Sequence, residues 1–219
     1  MKTSFLWIGL VAFFTTSTFA NPGITIDLKK EVKKKRINVF NRDLTLINDG
    51  TRVGIHLSKA KGEGVAWLKG TEFSNGTIEF DVRGENVQGH SFVGIAFHAK
   101  DNYTFDAIYL RPFRFQDVDP NSRSHSVQYV SFPAYPWREL RAKFPGKYES
   151  AINPSLDPDS WVRVKVVIKD NIVSTFINGS EQPILVVEKV TDLKSGAIGF
   201  YVADTSGGDF ANLSITKSE

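Results

Sequence analysis

The sequence predicts an all-β fold: an antiparallel β-sandwich of jelly-roll type with one short helical insertion. Apolar and polar residues alternate in segments such as residues 77–82 (TIEFDV) and 161–169 (WVRVKVVIK). This alternation is typical of strands with one face in a core and the other in water. Turn-forming pairs such as Asn75-Gly76 and Asn178-Gly179 separate the segments at short spacing, which favours many short strands in two packed sheets.

Residues 136–143 (PWRELRAK) are the one segment that predicts a helix. Pro136 suits a first helical turn, and Pro145-Gly146 is a signal that ends a helix. The helix interrupts the strand pattern between two β segments, so we expect it to lie at the rim of a sheet.

The first twenty residues predict a signal peptide rather than part of the fold. Lys2 precedes an apolar run over residues 5–14, and residues 15–20 (TTSTFA) end in the small residues of a cleavage site. No later apolar segment is long enough to span a membrane. We therefore expect an exported, soluble protein, periplasmic or secreted, with residues 21–219 forming a single sandwich domain.

Composition narrows the function classes. The chain contains no cysteine, which excludes disulfides and thiolate metal sites. Without Lys2, the 27 basic and 24 acidic side chains of the full sequence become 26 against 24, a net charge of +2, and this balance gives no electrostatic reason to expect nucleic acid as a partner. The basic run KKEVKKKR (residues 29–36) is interpreted as a solvated or edge-protecting segment, with a patch for an anionic partner as the alternative.

Residues 103–149 concentrate the groups that bind ligands. This stretch holds five of the six tyrosines, five of the ten arginines and Trp137. Aromatic rings cover the C–H faces of sugars, while planar cations and amides hold hydroxyls or anionic groups. We therefore predict a carbohydrate-binding protein whose partner is an oligo- or polysaccharide.

The expected groove is built from two strands and the rim helix. A strand over residues 103–113 places Tyr109 and Arg111 on one face, and a strand over residues 125–132 adds His125 and Tyr129 if the two are neighbours. Two rim rings complete the predicted ligand-binding set of Tyr109, Arg111, His125, Tyr129, Tyr135 and Trp137. The alternative is that the rings belong to the core, that Arg111 pairs with a buried carboxylate, and that the helix packs Trp137 onto the sandwich edge.

Catalysis on the same surface is a second hypothesis. Glycosidic chemistry needs two carboxyl groups about 5 to 10 Å apart, and Asp106, Asp117, Glu139 and Glu149 are the carboxylates that the stretch offers. Together with His125 as a candidate general base, Asp106 and Glu139 are the candidate catalytic residues. A third hypothesis is a structural or adhesive domain whose aromatic insertion packs against another protein.

Several strand segments resemble the concanavalin-A-like lectin/glucanase superfamily. The resemblance rests on residues 75–85 (NGTIEFDVRGE), 91–106 (SFVGIAFHAKDNYTFD), 160–165 (SWVRVK) and 196–215 (GAIGFYVADTSGGDFANLSI). More narrowly, the chain is similar to exported bacterial domains known as family-16-like glycoside hydrolases or 3-keto-disaccharide hydrolases. The resemblance implies a jelly roll, which hosts many functions.

One departure limits what the resemblance implies about catalysis. Laminarinase-type members carry a Glu-x-Asp-x-Glu or Glu-x-Asp-x-x-Glu strand that supplies nucleophile and acid, and this sequence has no such pattern. Its nearest counterpart, Glu79-Phe80-Asp81, lacks the third carboxylate. The laminarinase mechanism is therefore not predicted.

No cofactor is predicted, and a structural calcium ion is the alternative. Asp117, Asp119 and Asn121 alternate in a loop, a spacing that can present oxygens to calcium, and the superfamily often carries this ion. However, no glycine turn or closing glutamate follows as in an EF-hand. An Asp-Pro turn accounts for the loop more simply.

Overall fold

A computed structural model describes residues 23–218 of the chain. The predicted signal peptide, residues 1–20, lies outside the described residues. Within them the chain folds into two packed antiparallel sheets, so the predicted all-β sandwich is confirmed. No helix among residues 23–218 is long and apolar enough to cross a membrane.

The first sheet, here called the front sheet, carries most of the ligand-type residues. Its strands follow the spatial order β10-β9-β8-β7-β14-β5-β2. Their bounds are β2 Ile37–Phe40, β5 Gly64–Phe73, β7 Val93–Ala99, β8 Phe105–Leu110, β9 Val127–Phe132, β10 Glu149–Ser150 and β14 Gly196–Val202.

The second sheet, the back sheet, has the order β13-β12-β11-β6-β15-β4-β3, and β1 pairs with β15. Their bounds are β1 Ile24–Thr25, β3 Leu44–Asn48, β4 Val53–Leu57, β6 Gly76–Arg83, β11 Val162–Lys169, β12 Ile172–Ile177, β13 Leu185–Glu188 and β15 Gly208–Lys217.

The core lies between the sheets, where the apolar half of each alternating strand points. Phe200 of the front sheet meets Phe80 and Phe210 of the back sheet, with ring centroids 6.1 and 4.7 Å apart. Because side chains alternate along a strand, Tyr201 then points to the opposite, outer face of the front sheet. The outer face of this sheet is therefore the surface on which the site is built.

The predicted helix is present as α3, Trp137–Lys143, in the connection between β9 and β10. Two other short α-helices, α1 (Leu28–Lys33) and α2 (Pro120–Arg123), and a 3-10 helix, Pro112–Arg114, were not predicted. Both α-helices begin at an aspartate: the Asp27 carboxylate accepts the backbone N–H of Lys30 in α1, and the Asp119 carboxylate accepts two backbone N–H groups in α2. The basic run of residues 29–36 thus begins as a capped helix, and the Asp-Pro turn continues into one helical turn.

Candidate functional site

One row of paired residues crosses the outer face of the front sheet. Tyr109 in β8 pairs with Gln128 in β9 on one side and with Gly94 in β7 on the other. Gln128 pairs in turn with Glu149, and Gly94 pairs with Tyr201. Directly paired residues point to the same face, so two tyrosines, an amide and a carboxyl group share this surface.

Gly94 allows the two tyrosines to meet. A Cβ at this position would lie 2.0 Å from the carbonyl oxygen of Ile108, so no larger residue fits there without moving the backbone. The Tyr109 and Tyr201 rings pack with centroids 5.9 Å apart. Burial raises the pKa of Tyr109 to about 12, and it also raises the pKa of Tyr201. Both hydroxyls therefore stay protonated and can donate hydrogen bonds at neutral pH.

Arg111 lies just beyond the end of β8 and is almost fully buried. Its guanidinium donates to the carbonyl of His125 (2.6 Å), the hydroxyl of Tyr109 (2.9 Å) and the side-chain oxygen of Gln128 (3.2 Å). All three acceptors are neutral, so Arg111 does not pair with a buried carboxylate as the core alternative supposed. Burial lowers its pKa, against the opposing effects of Tyr109 and the more distant Glu149.

Trp137, the first residue of α3, is half-buried above this row. Three guanidinium groups surround its ring: those of Arg141, Arg138 and Arg111 lie 4.7, 5.2 and 5.9 Å from its centroid. Cations at this distance are attracted to the negative face of an indole. The helix therefore holds an aromatic ring and a positive charge cluster over the sheet.

Glu149 links α3 to the sheet through two partners. Arg141 donates to both carboxylate oxygens, with Nη2 2.5 Å from Oε2 and Nε 3.0 Å from Oε1. His125 Nε2 lies 3.3 Å from Oε1. Burial lowers the pKa of His125 despite the opposing effect of Glu149, and the nearby Arg141, Arg111 and Arg114 lower it further. His125 is therefore neutral at pH 7.

Sequence reasoning missed Glu63, which lies just before β5. Its carboxylate accepts a hydrogen bond from the Tyr201 hydroxyl. Burial raises its pKa more than this hydrogen bond and the nearby Arg42 lower it. Glu63 belongs to no aromatic or basic cluster along the chain, so the only signal was its position before a long apolar strand.

Two adjoining cavities open on this surface, and both are bounded by Gly89, Phe92 and Trp137. The larger, the tyrosine pocket, has a volume of about 490 Å³. The smaller, the arginine pocket, has a volume of about 160 Å³. The tyrosine pocket is further lined by Glu63, Tyr109, Phe132, Pro136, Arg138, Tyr201, Ala203 and Asp204. The arginine pocket is further lined by Gln88, Arg111, Phe113, Arg114, His125 and Arg141.

A third cavity, of about 610 Å³, lies elsewhere on the front sheet beside Trp67. The indole N–H of Trp67 is already donated to Asn102 (2.8 Å). One ring and no buried arginine line this cavity among the described residues. Although it is larger, it lacks the convergence of rings and buried polar groups that marks a binding site.

The structure brings together four of the six predicted binding residues. Tyr109 and Trp137 line the tyrosine pocket, and Arg111, His125 and Trp137 line the arginine pocket. Tyr135 is half-buried in the turn before α3, and the Lys143 ammonium lies 5.4 Å from its ring centroid.

The placement of Tyr129 was predicted wrongly. Tyr109 pairs with Gln128, so Tyr129 pairs with Ile108 and points with it into the inter-sheet core. The Tyr129 ring is fully buried, and its hydroxyl donates to Asp106 Oδ1 (2.9 Å). Tyr129 is therefore a core residue on the opposite side of the sheet from the pockets.

The two candidate catalytic carboxylates are also away from the pockets. Asp106 is fully buried between the sheets, where its Oδ2 lies 3.4 Å from His98 Nδ1. Glu139 is exposed on α3 and faces Lys143 at 3.4 Å. Neither can reach a ligand on the outer face, because Asp106 is enclosed by the core and Glu139 points into solvent.

The candidate calcium ligands have other partners. Asp117 pairs with Arg114 at 2.5 Å. Asp119 accepts the backbone N–H groups of Asn121 and Ser122 at the start of α2. Among the described residues, no group of three or more histidine, aspartate or glutamate side chains could hold a metal ion. The loop is therefore organised by helix capping and an ion pair.

Several solved structures share this fold at low sequence identity. A carbohydrate-binding module, CBM66 from Bacillus subtilis, is 13% identical with a TM-score of 0.54, over 80% of this chain and 92% of that one. A Bacillus subtilis protein of unknown function with a galectin-like fold is 14% identical with a TM-score of 0.60, over 91% and 97%. Domain 4 of AbnA, a GH43 extracellular arabinanase from Geobacillus stearothermophilus solved with arabinotriose, is 16% identical with a TM-score of 0.50, over 83% and 82%. At these identities the likeness shows the fold alone.

No curated protein sequence matches the chain. The family model of the 3-keto-alpha-glucoside-1,2-lyase-like domain matches residues 25–216, which is most of the chain. The relationship that the strand segments predicted is thereby confirmed, and the protein belongs to the family of 3-keto-alpha-glucoside-1,2-lyase-like domains.

Proposed function

We propose that this protein binds an oligo- or polysaccharide on the outer face of its front sheet, with the sugar seated in the tyrosine and arginine pockets. The observation that carries the proposal is the position of Trp137. It borders both cavities, and three guanidinium groups lie within 6 Å of its ring.

The lining supplies the two kinds of contact that a sugar needs. Phe92 and Trp137 offer ring surface to the apolar C–H face of a pyranose or furanose. The Tyr109 hydroxyl and the Arg111 guanidinium offer donors, and Glu63 offers an acceptor. A volume of about 490 Å³ lies within the range of roughly 300 to 1,000 Å³ for small-ligand sites.

The likeness to known structures supports this reading through the shared fold. The Bacillus subtilis module is a carbohydrate-binding module, and the arabinanase domain was solved with a bound trisaccharide. The signal-type leader of residues 1–20 further suggests that the protein meets its ligand outside the cytoplasm.

Isothermal titration against a broad panel of oligosaccharides tests the proposal, with Trp137→Ala as the decisive variant. We expect the variant to bind about thirtyfold more weakly, since a central aromatic contact contributes roughly 2 kcal/mol. Trp161→Ala is the matched control, because Trp161 is also half-buried and also contacts two arginines, but on the back sheet. Equal affinity of Trp137→Ala and the unmodified protein would show that the sugar does not bind at the proposed site.

A second candidate function is a 1,2-elimination on a 3-keto-glucoside, which is the activity named in the family description. In that reaction a base removes the proton at C2, which the C3 ketone makes acidic. The C2–H electron pair forms a C1=C2 double bond, and the C1–O bond breaks as the leaving oxygen takes a proton. Glu63 favours this candidate, because a carboxyl group with a raised pKa is a better base than an ordinary one.

The donors beside Glu63 would complete the reaction. The developing negative charge at the C3 oxygen needs hydrogen-bond donors already in place, and Tyr109 and Arg111 supply them on this face. Incubation with a 3-keto-glucoside should release the aglycone and a conjugated enone that absorbs in the near ultraviolet. Glu63→Gln should abolish this release while sugar binding remains. Absence of release by the unmodified protein would reject the elimination and leave the binding function.

A further inference from the structure

We propose that the saccharide is acidic, and that its carboxylate or sulfate group binds in the arginine pocket while the sugar ring occupies the tyrosine pocket. This inference rests on the proposed binding function and names its ligand class. The two pockets share Trp137 and Phe92, so a charged substituent and its ring can reach both at once.

The lining of the arginine pocket is strongly one-sided in charge. Arg111, Arg114 and Arg141 line it together with His125, and no aspartate or glutamate is among its lining residues. Asp117 and Glu149 neutralise Arg114 and Arg141 from outside this lining. The surface that a ligand meets is therefore cationic.

Arg111 is the group that most needs an anion. It is 5% exposed, and its bonds go to a carbonyl, a hydroxyl and an amide. A buried charge is stable only when it is paired or well hydrogen-bonded, and none of these acceptors carries a formal negative charge. An anion entering the pocket would supply the missing counter-charge to a guanidinium whose position is already set.

The volumes of the two pockets indicate which part of the ligand each one holds. About 160 Å³ holds one carboxylate or sulfate group, whereas the sugar ring requires the larger cavity of about 490 Å³. Several guanidinium forks around one small pocket match the planar oxygens of a carboxylate and the oxygens of a sulfate ester. A neutral sugar would pack on the same aromatic rings but would leave the Arg111 guanidinium without a counter-charge.

The test compares ligands that differ only in charge. The probes are oligogalacturonates, sulfated galacto-oligosaccharides and neutral galacto-oligosaccharides of equal length, titrated into the mature chain in 50 mM and 500 mM salt. We expect at least one acidic probe to bind tenfold or more tightly than the neutral one at low salt, with a smaller ratio at high salt. The tighter of the two acidic series identifies the anionic group as carboxylate or sulfate.

Arg114→Gln is the variant that tests the pocket, because Arg114 is partly exposed and its ion-pair partner Asp117 keeps a hydrogen bond from the Asp119 backbone N–H. We expect its preference for the acidic probe to fall by about threefold to tenfold. Lys143→Gln is the control: it removes the same charge from the exposed side of α3 and should leave the preference unchanged.

Different results would overturn the acidic ligand and the binding function. Neutral and acidic probes of equal affinity, with binding still lost in Trp137→Ala, would overturn the acidic ligand and keep the binding function. A preference for acidic probes that survives in Arg114→Gln would also overturn the arginine pocket as its source. No binding of any probe by the unmodified protein, across these series and the broader panel, would overturn both proposals.

Discussion

Beside each sheet of this protein a tryptophan packs against arginines, Trp137 over the front sheet and Trp161 at the back sheet, but the two clusters differ in their counter-ions. On the back sheet, Arg52 and Arg83 lie 5.1 and 4.8 Å from the Trp161 ring centroid. Arg52 Nε is 2.7 Å from Asp81, and Arg83 Nη2 is 2.8 Å from Asp209. On the front sheet, by contrast, Arg111 has only neutral partners.

The two clusters therefore differ in whether every arginine has a carboxylate partner. The back cluster is closed further by the Trp161 indole, which donates to Asp49 at 2.8 Å, so its donors already have acceptors. The front cluster contains the same residue types but leaves a buried guanidinium without a counter-charge beside a cavity. The arrangement of carboxylates, rather than the presence of arginine and tryptophan, therefore separates a structural surface from a candidate site.

The largest expected effect comes from removing a carboxylate from the back cluster. Asp81 is nearly buried and accepts from Arg52, Arg163 and Asn212. Its replacement in Asp81→Ala should lower the free energy of unfolding by about 2 to 3 kcal/mol, the usual contribution of hydrogen bonds to a charged group, and leave sugar affinity unchanged. Urea denaturation measures this loss, with the exposed Glu139→Ala as a control expected to stay within about 0.5 kcal/mol. A loss of sugar affinity would show that the clusters are not independent.

A smaller effect is expected from altering the open cluster at its centre. Arg111→Lys keeps the positive charge but cannot reproduce the planar fork that reaches Tyr109, Gln128 and the His125 carbonyl. We expect sugar affinity to fall about tenfold, which corresponds to about 1.4 kcal/mol. Titration calorimetry measures the affinity, and unchanged binding would mean that the guanidinium geometry is structural only.

His125 makes the front cluster sensitive to pH. The pKa of His125 is lowered below 6.5 by burial and by Arg141, Arg111 and Arg114, against the opposing effect of Glu149. In the free protein, the contribution of neutral His125 to the free energy of unfolding is therefore fully present above pH 6.5. It is lost as the pH falls through the lowered pKa.

A bound anion would raise the pKa of His125, because a negative charge favours the protonated imidazole. Affinity for the acidic saccharide should therefore rise as pH falls from 7 towards 5, by up to about tenfold for each pKa unit that the ligand restores. His125→Gln should flatten the profile of affinity against pH. An affinity that falls with pH in the unmodified protein would contradict an anion in this pocket.

The smallest effect concerns Glu63 in the tyrosine pocket. Its folded pKa is raised above 4.5 by burial, so its ionisation destabilises the fold as pH rises from 4.5 through the raised value. Glu63→Gln cannot ionise, and it should therefore gain stability relative to the unmodified protein between pH 4 and pH 7. Urea denaturation at the two pH values checks this, and an unchanged stability difference would show that Glu63 is fully solvated.

The sequence predicted the strands well because alternation is a local signal. β6 and β11 lie where residues 77–82 and 161–169 alternate. The predicted strands around the site proved shorter: β8 ends at Leu110, so Arg111 lies beyond it, and β9 begins only at Val127. Arginine and histidine at strand ends do not interrupt an alternating pattern, and the sequence offers no sharper boundary.

The error at Tyr129 has a different origin. Alternation divides each strand into two faces, but it does not state which face of one strand matches which face of the next. That match depends on register, and a shift of one residue exchanges the faces. Here Tyr109 pairs with Gln128, so Gln128 rather than Tyr129 reaches the candidate site.

Local sequence was enough to predict the alternating strands, the position of α3 and the concentration of rings and arginines in residues 103–149, because each of these depends on residues close together in the chain. The folded structure was needed to show that Asp106 and Tyr129 face the core, that Glu63 accepts a hydrogen bond from Tyr201, and that Arg111 has no carboxylate among its hydrogen-bond partners. These facts depend on strand register and on contacts between segments far apart in the chain, such as Glu63 and Tyr201. Long-range packing therefore turned a list of ligand-type residues into two pockets of different chemistry.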